Sequence, residues 1–309
     1  MTETTMTAGL VSIVIPTYNQ AGFLREALES VKNQTYADWE AIVVNNFSTD
    51  NTEDIVTRIG DSRIRLSTFA NDGVIARSRN LAISLSRGEF VAFLDSDDLW
   101  ESTKLAKAVE VLSSGADLVC HAERWFGAGE RDRIVRYGPA ERATYESLLF
   151  HGNCISTSAT VMRRRTLEQL GGFRDNPEFI TTEDYDLWLR VAKSGLKMAL
   201  VDDVLGSFRR HKASASSATI RHLHAELSVL NDHFQSFPSG SRTRQNRRIA
   251  FAYYSAGRAF TRERSTQQGI AMFVKALKLH PLSPRAWVGL AIHAAKSATY
   301  FFSRPSSDR

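Results

Sequence analysis

Three carboxylates stand within four positions, Asp95-Ser96-Asp97-Asp98, directly after the apolar run EFVAFL (89–94). Acids this close repel one another unless a cation or hydrogen-bond donors compensate them. A hard divalent ion, Mn2+ or Mg2+, takes oxygen ligands and keeps positions open for phosphate oxygens, so a D-x-D-D after a buried strand suggests a metal–diphosphate site. The alternative is a turn and helix start, with Asp97 or Asp98 stabilising the helix that follows. A second acidic pair, Glu183-Asp184, opens the helical stretch DYDLWLRVAK, where carboxylates are also common caps. His211 could reach the metal or the diphosphate, or could be a surface group among Arg209 and Arg210. Arg77 and Arg79 flank the first turn of another helix; Arg suits bidentate phosphate contacts, and solvated helix charge is the equal alternative.

The elements that must position these groups follow from periodicity. VSIVIP (11–16), EAIVVN (40–45), IRLSTF (64–69) and EFVAFL (89–94) read as strands. The helical patterns between them span 23–34 (Phe23, Ala27, Leu28 and Val31 inward), the stretch holding Ile55, Val56 and Ile59, and 73–86. This β-α-β-α-β-α-β order predicts a mostly parallel sheet flanked by helices. In such a sheet ligands gather beyond the carboxyl ends of the strands, which singles out Pro16-Thr17-Tyr18-Asn19, Asn45-Asn46 and the acid cluster. Further on we expect a helix over 101–114, a strand over 116–122, surface loops to about residue 150, a strand over 158–162, a helix over 164–170 ended by Gly171-Gly172, and a helix over 184–194. Arg163-Arg164-Arg165 reads as a solvated turn, with a substrate clamp as the lesser alternative, and Trp188 as a core aromatic with acceptor stacking as the minor alternative.

Composition is that of an ordinary globular chain of 309 residues, with 43% hydrophobic and 24% charged residues, which excludes collagen-like, disordered and disulfide-scaffold classes. The net charge of +5 conceals a division: residues 1–218 carry 25 Lys+Arg against 30 Asp+Glu, whereas residues 219–309 carry 14 against 4. Two cysteines, Cys120 and Cys154, suggest neither a zinc framework nor a disulfide scaffold and read as buried small hydrophobes. The N-terminus lacks a signal-peptide pattern, and no run approaches the roughly 18 apolar residues of a spanning helix. The expected location is therefore cytoplasmic.

Beyond residue 218 the pattern is helical. QQGIAMFVKALKLHP (267–281) sets Ile270, Phe273, Val274 and Leu277 on one face, and RAWVGLAIHAAKSATYFF (285–302) sets Trp287, Leu290, Ala294 and Phe301 together. The junction KALKLHPLSPRAWVGLA is similar to one between tetratricopeptide-type helices, with too few repeats for a free-standing array. We expect two domains, 1–218 and a basic helical region over 219–309.

Several long stretches, in order and in register over roughly residues 10–216, resemble the inverting family 2 glycosyltransferases of the GT-A fold. These are VSIVIPTYNQAGFLREALESVKNQTY, RSRNLAISLSRGEFVAFLDSDDLW, TSATVMRRRTLEQLGGF, TTEDYDLWLRVAKSG and FRRHKASAS. The resemblance implies a Rossmann-like sheet and transfer of a sugar from a nucleotide-sugar, UDP-linked as a first expectation, to a hydroxyl acceptor in polysaccharide or glycolipid assembly. Pro16, Thr17, Tyr18, Asn46, Arg79 and Asp95 would then bind the nucleotide-sugar, with Asp95 toward the ribose. Asp97, with Asp98 and His211, would hold Mn2+ or Mg2+, and Asp184 would be the general base. One departure stands out: the family usually has two aspartates after the second strand, where this chain has Asn45-Asn46, which puts the identity of the base in doubt.

The resemblance also implies a carbohydrate or lipid-linked acceptor. The basic tail, with Arg242, Arg244, Arg247 and Arg248 clustered, could hold the chain against an anionic membrane surface, with simple solubility the alternative. No nucleic-acid reading module accompanies the charge, so nucleic acid is not an expected partner. Two rival functions remain: an inactive nucleotide-sugar-binding scaffold, motivated by Asn45-Asn46, and a nucleotidyltransferase, against which PTYNQAG stands because it is no glycine-rich phosphate loop.

Overall fold

The computed structural model describes residues 6–127, 129, 131–211, 218–237 and 241–302, with side chains to His293. The chain divides into two compact units, Met1–Leu148 with Asn153–Ser214, and Leu149–Gly152 with Ala215–Arg309.

In the first unit the elements run β1 (Thr7–Thr17), α1 (Ala21–Lys32), β2 (Trp39–Asn45), α2 (Thr52–Ile59), β3 (Ile64–Thr68), α3 (Ile75–Leu85), β4 (Gly88–Phe93), β5 (Leu99–Trp100) and α4 (Lys104–Ser113). They continue as β6 (Leu118–Gly127), β7 (Arg133–Val135), α5 (Tyr145–His151), which crosses into the second unit, β8 (Thr160–Arg163), α6 (Arg164–Gln169), α7 (Glu183–Lys193) and β9 (Met198–Arg210). One sheet of order β3-β2-β1-β4-β8-β6-β9-β5 collects them, with β7 on β6. The β3-β2-β1-β4 half is parallel, β8 runs antiparallel to β4 and β6, and β9 runs parallel to β6.

The parallel half needs apolar side chains on both faces because helices cover it. Accordingly Val11, Ile13, Val14 and Ile15 of β1 are fully buried, and Leu24, Ala27, Leu28 and Val31 of α1 pack in one core with Val11, Ile13 and Ile15. Each such Val, Leu or Ile side chain contributes about 1.5–3 kcal/mol on burial. Phe23 does not join that face. Leu24 takes its place, and Phe23 lies half-buried with its ring 5.0 Å from that of His211.

Other parts of the first unit also depart from expectation. The stretch after residue 122, expected as loops, continues β6 to Gly127 and pairs with β7; its alternation was hidden by Arg124 and Arg133, which lie over the Phe126 and Trp125 rings instead of leaving the sheet to apolar residues. The long strand β9 was not foreseen, because Asp202 and Asp203 break its apolar run where its register on β6 shifts. Arg163 and Arg164 are not solvated: Arg163 donates to the carbonyls of Ala116 and Leu112 and pairs with Glu89, while Arg164 donates to the Ser86 carbonyl and pairs with Glu168. Both tie the β8–α6 corner to neighbouring chain ends.

The second unit contains α8 (Thr219–Gln235), α9 (Arg242–Arg262), α10 (Thr266–Leu279) and α11 (Pro284–Phe302). Phe273 is its buried centre, and small residues let the helices close on it: a Cβ at Gly257 or at Gly289 would meet the Phe273 ring at 2.7 Å. That packing rotates α10 from the expected face. Met272, Phe273, Ala276 and Leu277 point inward, and Val274 is exposed. On α11, Ala286 and His293 are buried and Trp287 is turned outward; the side chains of Ala294 and Phe301 lie outside the described residues. Of the four clustered arginines, Arg248 is buried, donates to the Leu149 carbonyl and pairs with Glu226, and Arg244 lies over the Phe150 ring at 4.1 Å. Those two cations hold the unit together rather than facing an outside surface.

Candidate active site

β1, β2 and β4 end side by side, and their C-terminal loops are cross-linked. The Asn19 amide N–H donates to Ser48 Oγ at 2.9 Å, and Asn19 Oδ1 accepts from the Thr49 amide at 2.7 Å. Asn19 and Phe47 hold positive φ, at 50° and 53°, a conformation that Asn tolerates and Phe rarely adopts. The result is a pair of exposed aromatics on bridged loops, Tyr18 at 55% exposure and Phe47 at 61%. Phe47 was not singled out in the sequence; its signal was an apolar residue inside a polar turn, NNFSTD. Pro16 and Thr17 are buried beneath, and Thr17 Oγ1 has no hydrogen-bond partner.

Asn45 and Asn46 turn inward. Asn45 Oδ1 accepts from the Ser48 amide at 2.9 Å and its Nδ2 donates to Glu53 at 3.2 Å, which closes the turn on itself. Asn46 Oδ1 accepts from the Asn71 amide at 3.0 Å.

The acid cluster occupies the turn after β4, closed by the Asp98 amide donating to the Asp95 carbonyl at 3.0 Å. Each acid has a different neighbourhood. Asp95 Oδ1 pairs with Arg79 at 2.8 Å, and its amide donates to Ser158 Oγ at 3.1 Å. Asp97 Oδ2 lies 2.8 Å from His211 Nε2. Asp98 is 1% exposed, and its Oδ1 accepts from the Arg209 amide at 2.8 Å. Burial, with Asp95 adding repulsion, raises the Asp97 carboxyl above its ordinary range; burial, with Asp97, Glu123 and Asp95, raises that of Asp98 further.

Arg209 ties this corner together, and sequence reading had passed it over in favour of His211. Its guanidinium lies 4.7 Å from both the Phe23 and Phe126 rings, donates to the Asp97 carbonyl at 2.9 Å and pairs with Glu26 at 2.7 Å. The missed strand β9 is what delivers Arg209 and His211 to the acids.

These residues fit a hard divalent cation. Asp97 Oδ2 and His211 Nε2, 2.8 Å apart, offer oxygen and nitrogen together, and the repulsion that raises the Asp97 carboxyl is what a cation would relieve, whereas Asp98 is turned onto the Arg209 amide and does not close a three-ligand cluster with them. The N-cap alternative fails on geometry: α4 begins at Lys104, and its cap residue Thr103 makes no side-chain capping bond.

Asp184 lies in the first turn of α7. Its Oδ2 accepts from Thr157 Oγ1 at 2.9 Å and its Oδ1 from the Tyr185 amide at 2.7 Å. Burial first, then repulsion from Glu183, pushes its pKa up to about 6, against the opposing pull of Arg79. That value suits a group that accepts a proton near neutrality. Thr157 and Ser158, which touch Asp184 and Asp95 respectively, carry no site signal in the sequence; Ser158 falls in the expected strand over 158–162, which in the structure starts only at Thr160.

Arg79 joins the two halves of the site. It is 4% exposed; NH2 holds Asp95 at 2.8 Å, and NH1 holds Glu183 at 2.5 Å, next in sequence to Asp184. Sequence reading pointed it at phosphate, whereas both ends of its fork are engaged by protein carboxylates. Arg77 lies outward, on Asp72 and Asp175. The next residue, Asn80, brackets Phe173, with Oδ1 accepting from its amide at 2.9 Å and Nδ2 donating to its carbonyl at 2.7 Å. Gly172 has φ +68°, and a Cβ there would meet Asn80 Oδ1 at 2.7 Å, so the turn requires glycine. Asp186 and Arg190 pair one helical turn apart, and Arg190 donates to the Leu170 and Gly172 carbonyls. Trp188 is fully buried at the Phe93 ring, a core residue. Ser214 and Ser216 of the FRRHKASAS element lie outside the described residues.

Glycosyl transferase family 2 matches over residues 12–171. The Escherichia coli protein WfgD, named UDP-Glc:alpha-D-GlcNAc-diphosphoundecaprenol beta-1,3-glucosyltransferase, is 34% identical over 228 residues, covering 72% of this chain and 86% of that protein. Among solved structures, S. aureus TarS 1-349 in complex with UDP has a TM-score of 0.62 at 18% identity, covering 96% of this chain and 93% of that one. The mannosyltransferase PcManGT of Pyrobaculum calidifontis, in complex with GDP-Man and Mn2+, has a TM-score of 0.59 at 21% identity, covering 95% and 81%. The fold is GT-A, and the chain belongs to glycosyl transferase family 2.

Proposed function

We propose that the chain transfers a sugar from a nucleoside diphosphate sugar, UDP-linked in the first instance, to a hydroxyl of a lipid-linked saccharide acceptor, with inversion at the anomeric carbon. The observation that carries this reading is the Arg79 bridge: one buried guanidinium ties Asp95, at the donor end of β4, to Glu183 beside Asp184. The name of WfgD supports the donor and the diphosphoundecaprenol-linked acceptor.

Tyr18 and Phe47 stack on the nucleoside, and Asp95 accepts from the ribose. Asp97 and His211 would hold Mn2+ or Mg2+, which when bound would neutralise charge on the diphosphate. Asp184, ionised above about pH 6, takes the proton of the acceptor hydroxyl. The acceptor oxygen then forms its bond to the anomeric carbon as the bond to the diphosphate oxygen breaks, and the leaving diphosphate keeps that electron pair. Thr157 holds the base in place while Arg79 keeps Glu183 from adding a second mobile charge.

The test is nucleotide release from a panel of nucleotide-sugars with Mn2+, with and without a polyprenyl diphosphate N-acetylglucosamine acceptor. Release that depends on the acceptor and falls by a factor of about 10^2–10^4 in Asp184→Asn is the expected result, the order of a lost general base. An intact protein that releases nucleotide from no donor refutes the enzyme reading and favours a binding scaffold.

A further inference from the structure

A helix that packs on its neighbours by one face normally turns polar residues outward. α11 does not. Ala286, Gly289 and His293 face the inside of the second unit, while its outer arc carries Trp287 at 55% exposure, Val288 at 58%, Ala291 and Ile292 at 48%. The turn that feeds it presents Leu282 at 81%. Positions i, i+1, i+4 and i+5 of one helix are thus apolar and open to solvent together, which scattered exposed residues do not produce. The Trp287 ring is fixed there, its Nε1 donating to the Pro281 carbonyl at 2.8 Å.

Charge says what should cover this face. From Arg264 to Ser307 the chain has six Lys or Arg and not one Asp or Glu. Arg285 is exposed at the edge of the apolar arc, and Lys275 and Lys278 are exposed on α10 just before the turn. An apolar strip edged by cations, with a tryptophan fixed near its start, matches the chemistry of an anionic bilayer surface, where rings and aliphatic chains enter the headgroup boundary and cations meet lipid phosphates. No helix among the described residues is long and apolar enough to cross a membrane.

We infer that the outer face of α11 and the α10–α11 turn dock the protein on an anionic lipid bilayer. The choice of bilayer as occupant rests on the lipid-linked acceptor proposed above; the location rests on exposure and charge alone. It also moves the membrane contact away from the α9 arginines, two of which are engaged inside the unit.

The test is flotation of the full-length protein with vesicles of phosphatidylglycerol and phosphatidylcholine, 3:7, against phosphatidylcholine alone. Wild type should float with the anionic vesicles only, and less as salt rises. Val288→Asp with Ile292→Asp, both at exposed positions, should reduce vesicle binding at least tenfold, and so, independently, should Lys275→Glu with Lys278→Glu. Both variants should keep the wild-type melting temperature and the rate of nucleotide release in solution. Wild type that does not float, or variants that float equally well, overturns the proposal. A concentration-dependent dimer abolished by Val288→Asp/Ile292→Asp also overturns it, in favour of a second copy as the occupant. Vesicle binding without use of a polyprenyl-linked acceptor sinks the acceptor reading and leaves the surface standing.

Discussion

Thr157→Val removes one hydroxyl from a buried position and changes little else, so it isolates what holds the Asp184 carboxyl near pH 6. In the wild type, burial and Glu183 raise the pKa to about 6, while Arg79, the Thr157 hydroxyl and the Tyr185 amide pull it down. A hydrogen bond to a charged group is worth about 1.5–3 kcal/mol. Part of it survives when the carboxyl is protonated, so the difference between the two forms is about 1.4 kcal/mol, or about one pH unit. The base must be ionised to act. Nucleotide release per unit enzyme, kcat/KM, should therefore be about tenfold down at pH 5, rise through about pH 6 and level off above pH 7 in the wild type. In Thr157→Val the limb should move up to about pH 7, with the plateau reached only in alkaline buffer. The assay is kcat/KM for the donor from pH 5 to 8.5 at constant ionic strength, beside a thermal melt to show that the variant folds. A limb that stays in place, or shifts toward acid, refutes the assignment of Asp184 as the titrating base or of Thr157 as its support.

Other outcomes follow from the same geometry. Arg79→Met leaves the buried Glu183 without its cation, and the partly exposed Asp95 with it, and should cost about 3–5 kcal/mol in urea unfolding, the size expected when one partner of a buried ion pair is lost. Gly172→Ala forces a Cβ against Asn80 Oδ1 at positive φ and should lower stability by about 1–3 kcal/mol, whereas Gly22→Ala in α1, where a Cβ meets nothing within 4 Å, should be neutral or gain about 0.4–1 kcal/mol; the pair is compared by urea midpoint. Chelation by EDTA should abolish turnover and Mn2+ restore it, and His211→Ala should raise the Mn2+ concentration for half-maximal rate. An unchanged Mn2+ titration would remove His211 from the ligand set.

The parallel half of the fold was legible because its code is local. Runs such as VSIVIP and EAIVVN can be buried on both faces only under helices, and the polar residues that end them mark where ligands gather. The Asp95-Ser96-Asp97-Asp98 cluster and the Glu183-Asp184 pair were visible for the same reason, as acids at the ends of elements. β9 was not, because its apolar residues are interrupted by two aspartates and its place beside β6 depends on a partner some eighty residues away.

The sequence by itself determined the class of fold, the acids and their order along the chain. Tertiary structure decided what each side chain does. Arg79 looks the same in sequence whether it meets phosphate or protein, and only the approach of α7 to the end of β4 makes it the bridge between Asp95 and Glu183. Asp184 acquires a pKa of about 6 from burial and from the adjacent Glu183, held in check by Arg79 of α3 and the Thr157 hydroxyl. Likewise Trp287 fits a core stripe by spacing, yet Phe273, nested between Gly257 and Gly289, sets the packed face of α11 and leaves Trp287 outside. Periodicity reports that a residue is apolar or charged; partner, burial and field are properties of surfaces that meet only after folding.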